Sequence, residues 1–422
     1  MNSEPTLEQA IILCGGLGTR LRPLTDSLPK PMVPVNGKPF LYHLLTQLAD
    51  QGVKRFVLLT GYMGEKISDY FGDGAQYGWA ISYSRGPVAW DTGRRLWEAR
   101  ELCDRKFLLL YSDNFVQFRL KQLKRLHSQL RTRITLLLAP KAKGNIKVSE
   151  DGRIQAYDKH RIGVGFDYVE TGYMAVERDS FFADFPSYEG FPDFSLSALL
   201  QKYAQQQLLG GLIVRDPYHS ISDPDRLHLM CEYLKPKQIL LMDRDGTINV
   251  KAPQGEYITN WSNFEWIPET RLAMKQLAKA GFKFVVITNQ AGIARGMIDP
   301  LELETIHKNM IADLASEGVE ILKVYCCPDH WEDKSFMRKP APGMFVQVAK
   351  EYLLRMDRCF YVGDDARDCQ AAFNAGCGMI YVSTDGGKPT LSDYPVPYLS
   401  TKSLLEAVEF ISEAHTVWEA VA

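Results

Sequence analysis

The chain has 422 residues, more than the ~250–300 that one hydrophobic core usually serves, so two or more domains are expected. Lys and Arg number 49 and Asp and Glu 51, a net charge of −2, which removes the basic field that a nucleic-acid binder needs. With 45% hydrophobic and 24% charged residues the composition is that of a globular protein, and no apolar run approaches the ~18 residues of a membrane span.

The first residues, MNSEPTLEQA, lack a basic flank ahead of an apolar core and do not read as a secretory signal. Eight cysteines, Cys14, Cys103, Cys231, Cys326, Cys327, Cys359, Cys369 and Cys377, are scattered without a disulfide framework, which points to a reducing cytoplasm. Gln9 to Leu13 is a short apolar run ending in a glycine-rich turn. Leu41, Leu44, Leu45, Leu48 and Ala49 follow the spacing of a helix packed on one face, Gly52 ends it, and Arg55 to Leu59 reads as a buried strand. Phe107 to Tyr111 is another strand, followed at once by Ser112 and Asp113.

The rhythm restarts near residue 238. Gln238–Met242 is a strand; Ala273, Leu277 and Ala280 mark a helix; Phe284–Ile287, Ile321–Tyr325 and Cys359–Val362 are further strands. The segment Tyr233–Gln238, containing Pro236, is the predicted boundary between domains spanning 1–234 and 237–422. Residues from Leu404 onward read as one helix, which either caps the second domain or bridges subunits. No fixed-period repeat is present. Strand alternating with helix predicts an α/β protein of two doubly wound domains, each with a mostly parallel sheet covered on both faces.

Two constellations carry chemistry. In the first, Cys14-Gly-Gly-Leu-Gly-Thr-Arg-Leu-Arg-Pro-Leu-Thr25 follows a strand. Gly15, Gly16 and Gly18, with Thr19, let backbone N–H groups approach an anion closely. Arg20 and Arg22 add charge, and Pro29-Lys30-Pro31 fixes a lysine as a further point charge. Asp113, just past a strand end, stands where open α/β sheets place ligands.

The whole string resembles the sugar-1-phosphate nucleotidylyltransferases over roughly residues 8–230, with further matches at Gly61–Ile67, Phe71–Gly74, Asp91–Gly93 and Glu170–Tyr173. The resemblance implies a Rossmann-like fold in which a sugar-phosphate oxygen attacks the α-phosphorus of a nucleoside triphosphate and releases pyrophosphate. Arg20 and Lys30 would neutralise the triphosphate, Asp113 would hold Mg²⁺, and Asp158, Lys159 and Glu170 would contact the sugar phosphate. Two features depart from the family. Ser220 stands where its second metal-binding Asp is expected, with Asp223 three residues on, and the loop Trp90-Asp-Thr-Gly-Arg-Arg95 is bulkier and more basic than usual.

The second constellation is Met242-Asp-Arg-Asp-Gly-Thr-Ile-Asn249. In an extended segment Asp243 and Asp245 would point to one side, so one carboxylate can act as nucleophile while the other moves a proton. Thr288, Asn289 and Gln290 end the next strand, Arg338 and Lys339 precede a helix starting near Gly343, and Val362-Gly-Asp-Asp-Ala-Arg-Asp368 ends another strand with carboxylates. A nucleophile, a hydroxyl, a lysine and an acidic metal site together suit phosphate-ester cleavage.

This set resembles the haloacid dehalogenase (HAD) superfamily of phosphatases over about residues 237–400, and more narrowly the D-glycero-D-manno-heptose 1,7-bisphosphate phosphatases and their histidinol-phosphate relatives. The resemblance implies that Asp243 forms an aspartyl-phosphate, that Asp245 is the general acid and base, and that Thr288 and Lys339 stabilise the transferring phosphoryl group. It gives Mg²⁺ the ligands Asp243, the backbone carbonyl of Asp245, and Asp364, and gives Asn289, Gln290 and Arg338 to the substrate. These relatives carry a zinc loop, but here Asp329, Ser335 and Met337 replace expected ligands, so no zinc is predicted.

Together the halves imply a cytoplasmic two-step enzyme using Mg²⁺ in both domains. Heptose 1,7-bisphosphate would lose its 7-phosphate, and the heptose 1-phosphate would react with GTP to give GDP-heptose for surface polysaccharide or lipopolysaccharide. The ligands are small molecules, a sugar phosphate and a nucleoside triphosphate, with no nucleic acid or membrane partner; a homo-oligomer is compatible with the sequence. The alternative is a phosphatase for another sugar phosphate or histidinol phosphate, joined to an amino-terminal module that binds a sugar nucleotide without turnover.

Overall fold

The computed structural model describes residues 7–158, 160, 165–185, 193–383 and 399–421. The chain divides into two compact units, Met1–Glu232 and Tyr233–Ala422.

The amino-terminal unit is built on a nine-stranded mixed sheet. Strand Gln9–Cys14 lies at its centre, paired in parallel with Arg55–Thr60 on one side and Lys106–Tyr111 on the other. Ala80–Arg85 extends the first side in parallel. The other side departs from the expected parallel order. The ten-residue strand Tyr168–Glu177 runs antiparallel between Lys106–Tyr111 and Ile134–Pro140, and Leu209–Ile213 pairs in parallel with the latter.

Alternation along the central strand sends Ala10, Ile12 and Cys14 to one core and Ile11 and Leu13 to another. The first core receives Leu41, Leu44, Leu45 and Leu48 from helix Phe40–Ala49, and Leu120 and Leu123 from Leu120–Leu130. The second receives Leu96 from helix Thr92–Glu98 and Leu196, Leu199 and Leu200 from Leu196–Gln205. Both faces are therefore covered, which is why the strands read as continuous apolar runs.

The carboxyl-terminal unit holds a six-stranded parallel sheet. Ile239–Met242 sits inside it, between Lys283–Asn289, backed by Ile321–Cys327, and Phe360–Gly363, backed by Gly378–Val382 and Leu399–Thr401. The chain order reverses about Ile239–Met242, and open sheets bind ligands at the carboxyl ends of strands at such a point. Ala273, Met274 and Leu277 of helix Pro268–Lys279 and Ile306, Met310 and Leu314 of Pro300–Ser316 cover one face. Met344, Phe345 and Val348 of Gly343–Tyr352 and residues of Ala366–Ala375 cover the other.

The terminal segment is a short 3-10 turn, Leu404–Ala407, followed by helix Val408–Val421 rather than one continuous helix. Leu404, Ala407 and Ile411 are buried in this unit's own core, and Trp418 stacks on Phe360, so the segment caps the second sheet. No described helix is long and apolar enough to cross a membrane.

Candidate active sites

In the carboxyl-terminal unit, the candidate groups gather at the ends of Ile239–Met242, Lys283–Asn289 and Phe360–Gly363. Asp243 follows Ile239–Met242, and its N–H donates to Val362 O at 2.8 Å, which fixes the backbone beside the Phe360–Gly363 strand. Lys339 is brought in from the loop before Gly343–Tyr352. Asn289, at the end of Lys283–Asn289, clasps its main chain, donating to Lys339 O and accepting from Lys339 N, both at 3.0 Å. The lysine is 4% exposed, and its Nζ donates to Asp243 Oδ1 at 2.7 Å, Asp368 Oδ1 at 2.8 Å and Tyr361 Oη at 2.6 Å. Tyr361 Oη in turn donates to Asp368 Oδ1 at 3.0 Å. Burial pushes the Asp243 carboxyl up, to about 7, against the opposing pull of the Lys339 ammonium.

Asp364 stands opposite. Its Oδ2 accepts from Lys251 Nζ at 2.8 Å, while its buried Oδ1 has no hydrogen-bond partner among the described residues. Burial raises this carboxyl too. Oxygens of Asp243, Asp364 and Asp368 all lie within 4.8 Å of one another. Three hard oxygen donors with one orphaned atom suit Mg²⁺. Gly246 makes the approach possible: its φ is +90°, and a Cβ there would lie 2.3 Å from Asp364 Oδ2.

Asp245 is placed differently from the extended geometry expected for residues i and i+2. The strand ends at Met242 and the chain turns, with Arg244 O accepting from Ile248 N at 2.8 Å. The Asp245 carboxylate is thereby engaged outside the three-carboxylate cluster. It accepts from Arg244 Nη2 at 2.9 and 2.8 Å, Asn249 Nδ2 at 3.0 Å and Gln290 Nε2 at 2.7 Å. Burial raises its pKa, but the Arg244 guanidinium and these donors outweigh burial and hold it below the ordinary value. Arg244 is fully buried, and its Nη1 lies 3.0 Å from Nε2 of His307, whose pKa burial lowers to about 4.

Thr288 is buried, with its hydroxyl accepting from Gln290 Nε2 at 2.9 Å. The Asn289 and Gln290 side chains, predicted as substrate contacts, are engaged with the protein itself. Arg338 Nη1 donates to Asp329 O at 3.1 Å. The loop predicted to lack zinc ligands is held by other contacts: Cys327 Sγ lies 3.5 Å from Asp329 Oδ2, and His330 caps the turn Trp331–Asp333.

In the amino-terminal unit, the glycine loop after Gln9–Cys14 borders a cavity of about 360 Å³. Gly15, Gly16, Gly18, Thr19, Arg20, Lys30 and Asp113 all line it, so the structure brings the predicted nucleotide residues together. Gly18 is required twice over, by its φ of +64° and because a Cβ would lie 2.9 Å from Lys30 Cβ. Lys30 Nζ is 2.6 Å from Asp113 Oδ2. Ser220, on the short strand Tyr218–Ser220, lies across from Asn114, the neighbour of Asp113 in the chain. Its hydroxyl is 3.0 Å from Ser222 Oγ, with Arg226 Nη1 at 3.3 Å. Asp223 accepts from Arg226 N at 3.0 Å and caps the helix Pro224–Leu234, so its carboxylate serves the backbone.

Asp158 and Glu170 do not line the cavity. Asp158 accepts from His160 N at 2.9 Å and Glu170 from Tyr157 Oη at 2.7 Å, while Lys159 lies outside the described residues. Three side chains at the candidate sites had no role assigned in the sequence. Asp368 and Tyr361 lie within the quoted strings, and Arg95, noted only as part of a loop bulkier and more basic than usual, lines the cavity.

Residues 9–162 match the nucleotidyl transferase family and residues 238–383 the polynucleotide kinase 3 phosphatase family. A D-glycero-beta-D-manno-heptose-1,7-bisphosphate 7-phosphatase of Bordetella bronchiseptica is 35% identical over 168 residues, covering 38% of this chain and 88% of that protein. The crystal structure of a D,D-heptose 1,7-bisphosphate phosphatase from B. bronchiseptica, complexed with magnesium and phosphate, aligns at 29% identity and TM-score 0.38, covering 42% of this chain and 98% of that one. HddC from Yersinia pseudotuberculosis, complexed with GMP-PN, aligns at 24% identity and TM-score 0.45, covering 54% and 100%.

Proposed function

Through its carboxyl-terminal unit the chain belongs to the D-glycero-beta-D-manno-heptose-1,7-bisphosphate 7-phosphatase family, and from that membership we propose a two-step enzyme of heptose activation. The carboxyl-terminal unit removes the 7-phosphate of a heptose 1,7-bisphosphate. The amino-terminal unit, a nucleotidyl transferase by family, then joins the heptose 1-phosphate to the nucleotide of GTP and releases pyrophosphate. GTP is the triphosphate that follows from joining the nucleotidylyltransferase resemblance to a heptose 1-phosphate acceptor activated as GDP-heptose.

The observation that carries the first step is the buried contact of Lys339 with Asp243, within reach of Asp364 and Asp368. Asp243 attacks phosphorus as the bond from phosphorus to the sugar 7-oxygen breaks, giving an aspartyl-phosphate. Asp245, once it has taken up a proton from solvent, gives it to the leaving oxygen, and later takes a proton from the water that releases inorganic phosphate. To do so it exchanges its contacts with Arg244, Asn249 and Gln290 for the substrate. Lys339 and the Thr288 hydroxyl face the phosphoryl oxygens. Asp243, Asp364 and Asp368, with the Asp245 backbone carbonyl, would hold Mg²⁺, which when bound neutralises charge on the phosphoryl group.

In the other unit Arg20 and Lys30 neutralise the triphosphate while the sugar 1-phosphate oxygen attacks the α-phosphorus. Asp113 would hold Mg²⁺ there, since this ion is commonly bound by one or two carboxylates together with substrate phosphates. Asp158, Lys159 and Glu170 remain the sugar-side residues of this reading.

The test is incubation of the full chain with heptose 1,7-bisphosphate, GTP and Mg²⁺, followed by mass spectrometry. Phosphate, pyrophosphate and GDP-heptose are expected. One observation favours a second reading: Ser220 stands beside Asn114 and the Asp223 carboxylate accepts from Arg226 N, which suits an amino-terminal module that binds without turnover. Phosphate release without pyrophosphate would establish that reading instead. A strong preference for a non-sugar phosphate would overturn the heptose assignment.

A further inference from the structure

We propose that Lys251 competes with Mg²⁺ for Asp364 and so sets the metal concentration at which the phosphatase site fills. The inference deepens the phosphatase reading above and rests on Asp243, Asp364 and Asp368 being the carboxylates that hold the ion.

Lys251 follows the turn that carries Asp243 and Asp245. Val250 N donates to Glu265 O at 2.8 Å and Asn249 forms a bridge with Trp266, so the backbone just ahead of Lys251 is pinned to the rest of the unit. The side chain reaches the residues that follow Phe360–Gly363. Its Nζ donates to Asp364 Oδ2 at 2.8 Å and stands 3.7 Å from Asp365 Oδ2. The lysine side chain is 45% exposed and that of Asp364 18%, so the ammonium meets the carboxylate at the wet rim of the site. The other oxygen, Asp364 Oδ1, is buried and has no hydrogen-bond partner among the described residues.

An ammonium and a dication that share one carboxylate repel each other across a few ångströms. When ionised, Asp243, Asp364 and Asp368 bring three negative charges, and Lys339 offsets one of them. Lys251 offsets a second, so Mg²⁺ is drawn by half the net charge it would otherwise meet. The ion also demands close, octahedral oxygen contacts, and an ammonium bonded to one of those oxygens draws charge away from it. Release of the lysine is made easy by the neighbouring carboxylate. Asp365 already accepts from Arg367 Nε and Nη2, both at 2.9 Å, and a small movement of Lys251 adds it to that pair. A lysine that instead oriented Asp364 for the metal would act with the opposite sign, since its removal would weaken metal binding.

The experiment is calorimetric titration of Mg²⁺ into the full chain at about pH 8, as wild type, Lys251→Met, Lys251→Arg and Asp364→Asn, with thermal melting as the check on folding. The binding that Asp364→Asn removes from wild type belongs to this site. There Lys251→Met is expected to bind Mg²⁺ about three- to tenfold more tightly than wild type, a modest factor because the pair is partly exposed and screened. Lys251→Arg keeps the charge and is expected to stay within about twofold of wild type. Unchanged or weaker Mg²⁺ binding by Lys251→Met overturns the proposal. So does Lys251→Arg binding as tightly as Lys251→Met, since the length of the side chain and not its charge would then matter. If Asp364→Asn removes no Mg²⁺ binding from wild type, the metal site of the phosphatase reading falls and this inference with it. If Asp364→Asn removes the binding but Lys251→Met leaves it unchanged, only the inference falls.

Discussion

Replacing Lys339 by Met tests whether the phosphatase site is held by charge. Met preserves much of the length of the side chain but leaves Asp243 and Asp368, both within 3 Å of the Nζ, without their shared cation. Removing one partner of a buried ion pair costs about 3–5 kcal/mol. For a domain of about 150–250 residues each kcal/mol lowers the melting temperature by about 2–4 °C, so a fall of roughly 6–20 °C is expected. The pH dependence follows from Asp243, whose pKa in the folded chain is raised from 3.8 to about 7. Between those values the folded state binds a proton that the unfolded state lacks, so this group's contribution to stability is full below about 4 and is lost as pH rises through about 7. Without Lys339 the carboxyl moves higher still. The gap between wild type and Lys339→Met is therefore expected to be smaller at pH 5, where the pair with Asp368 still contributes, than at pH 8. Calorimetric melting of both full chains in chelator at the two pH values measures it. A shift under about 2 °C, far below the range from the buried-pair cost, or an equal gap at both pH values, would refute the charge argument.

Asp243→Asn is expected to abolish phosphate release from heptose 1,7-bisphosphate while pyrophosphate release from GTP and heptose 1-phosphate persists, because each site is formed by residues of one unit; loss of both activities would contradict this. Arg20→Ala removes charge-assisted bonds worth about 1.5–3 kcal/mol, so triphosphate binding by titration calorimetry is expected to weaken roughly 10- to 150-fold with phosphate release unchanged. Gly246→Ala places a methyl 2.3 Å from Asp364 Oδ2 at a φ of +90°, and is expected both to lower the urea midpoint and to raise the Mg²⁺ concentration needed for half-maximal phosphatase activity. An unchanged Mg²⁺ dependence would remove Asp364 from the metal site.

Both sheets were legible where a buried parallel strand ends in a motif. Gln9–Cys14, Lys106–Tyr111, Ile239–Met242 and Lys283–Asn289 all carry apolar runs because helices cover both faces, and each leads directly into the residues that line a site. The far half of the first sheet was not legible. Leu209–Ile213 contains Gly210 and Gly211, which weaken a strand pattern, yet a Cβ at Gly211 would lie 2.4 Å from Leu138 Cδ1. Those glycines answer to a close neighbour supplied by Ile134–Pro140, a contact between distant parts of the chain. Tyr168–Glu177 inserts antiparallel between strands that precede it, and a local pattern does not encode such an order.

The same limit explains the site residues that were missed. Motif order along the chain identified Asp243, Thr288, Lys339 and Asp364, but not which groups share a proton or a charge. Asp368 belongs to a capping box at the start of Ala366–Ala375, its Oδ2 accepting from Asp365 N at 3.2 Å. Its other oxygen accepts from Lys339 and Tyr361, so one side chain serves helix and site at once. Asp243 and Asp245 show the converse. Two positions apart, they enter opposite environments: Asp243 is raised by burial beside one lysine, and Asp245 is held low by Arg244, Asn249 and Gln290. The turn that begins directly after Met242 separates the two carboxylates, and in the proposed mechanism a group that begins the cycle ionised must leave its donors and take up a proton before it acts as an acid. The Arg244 contact thus belongs to the chemistry as much as to the fold.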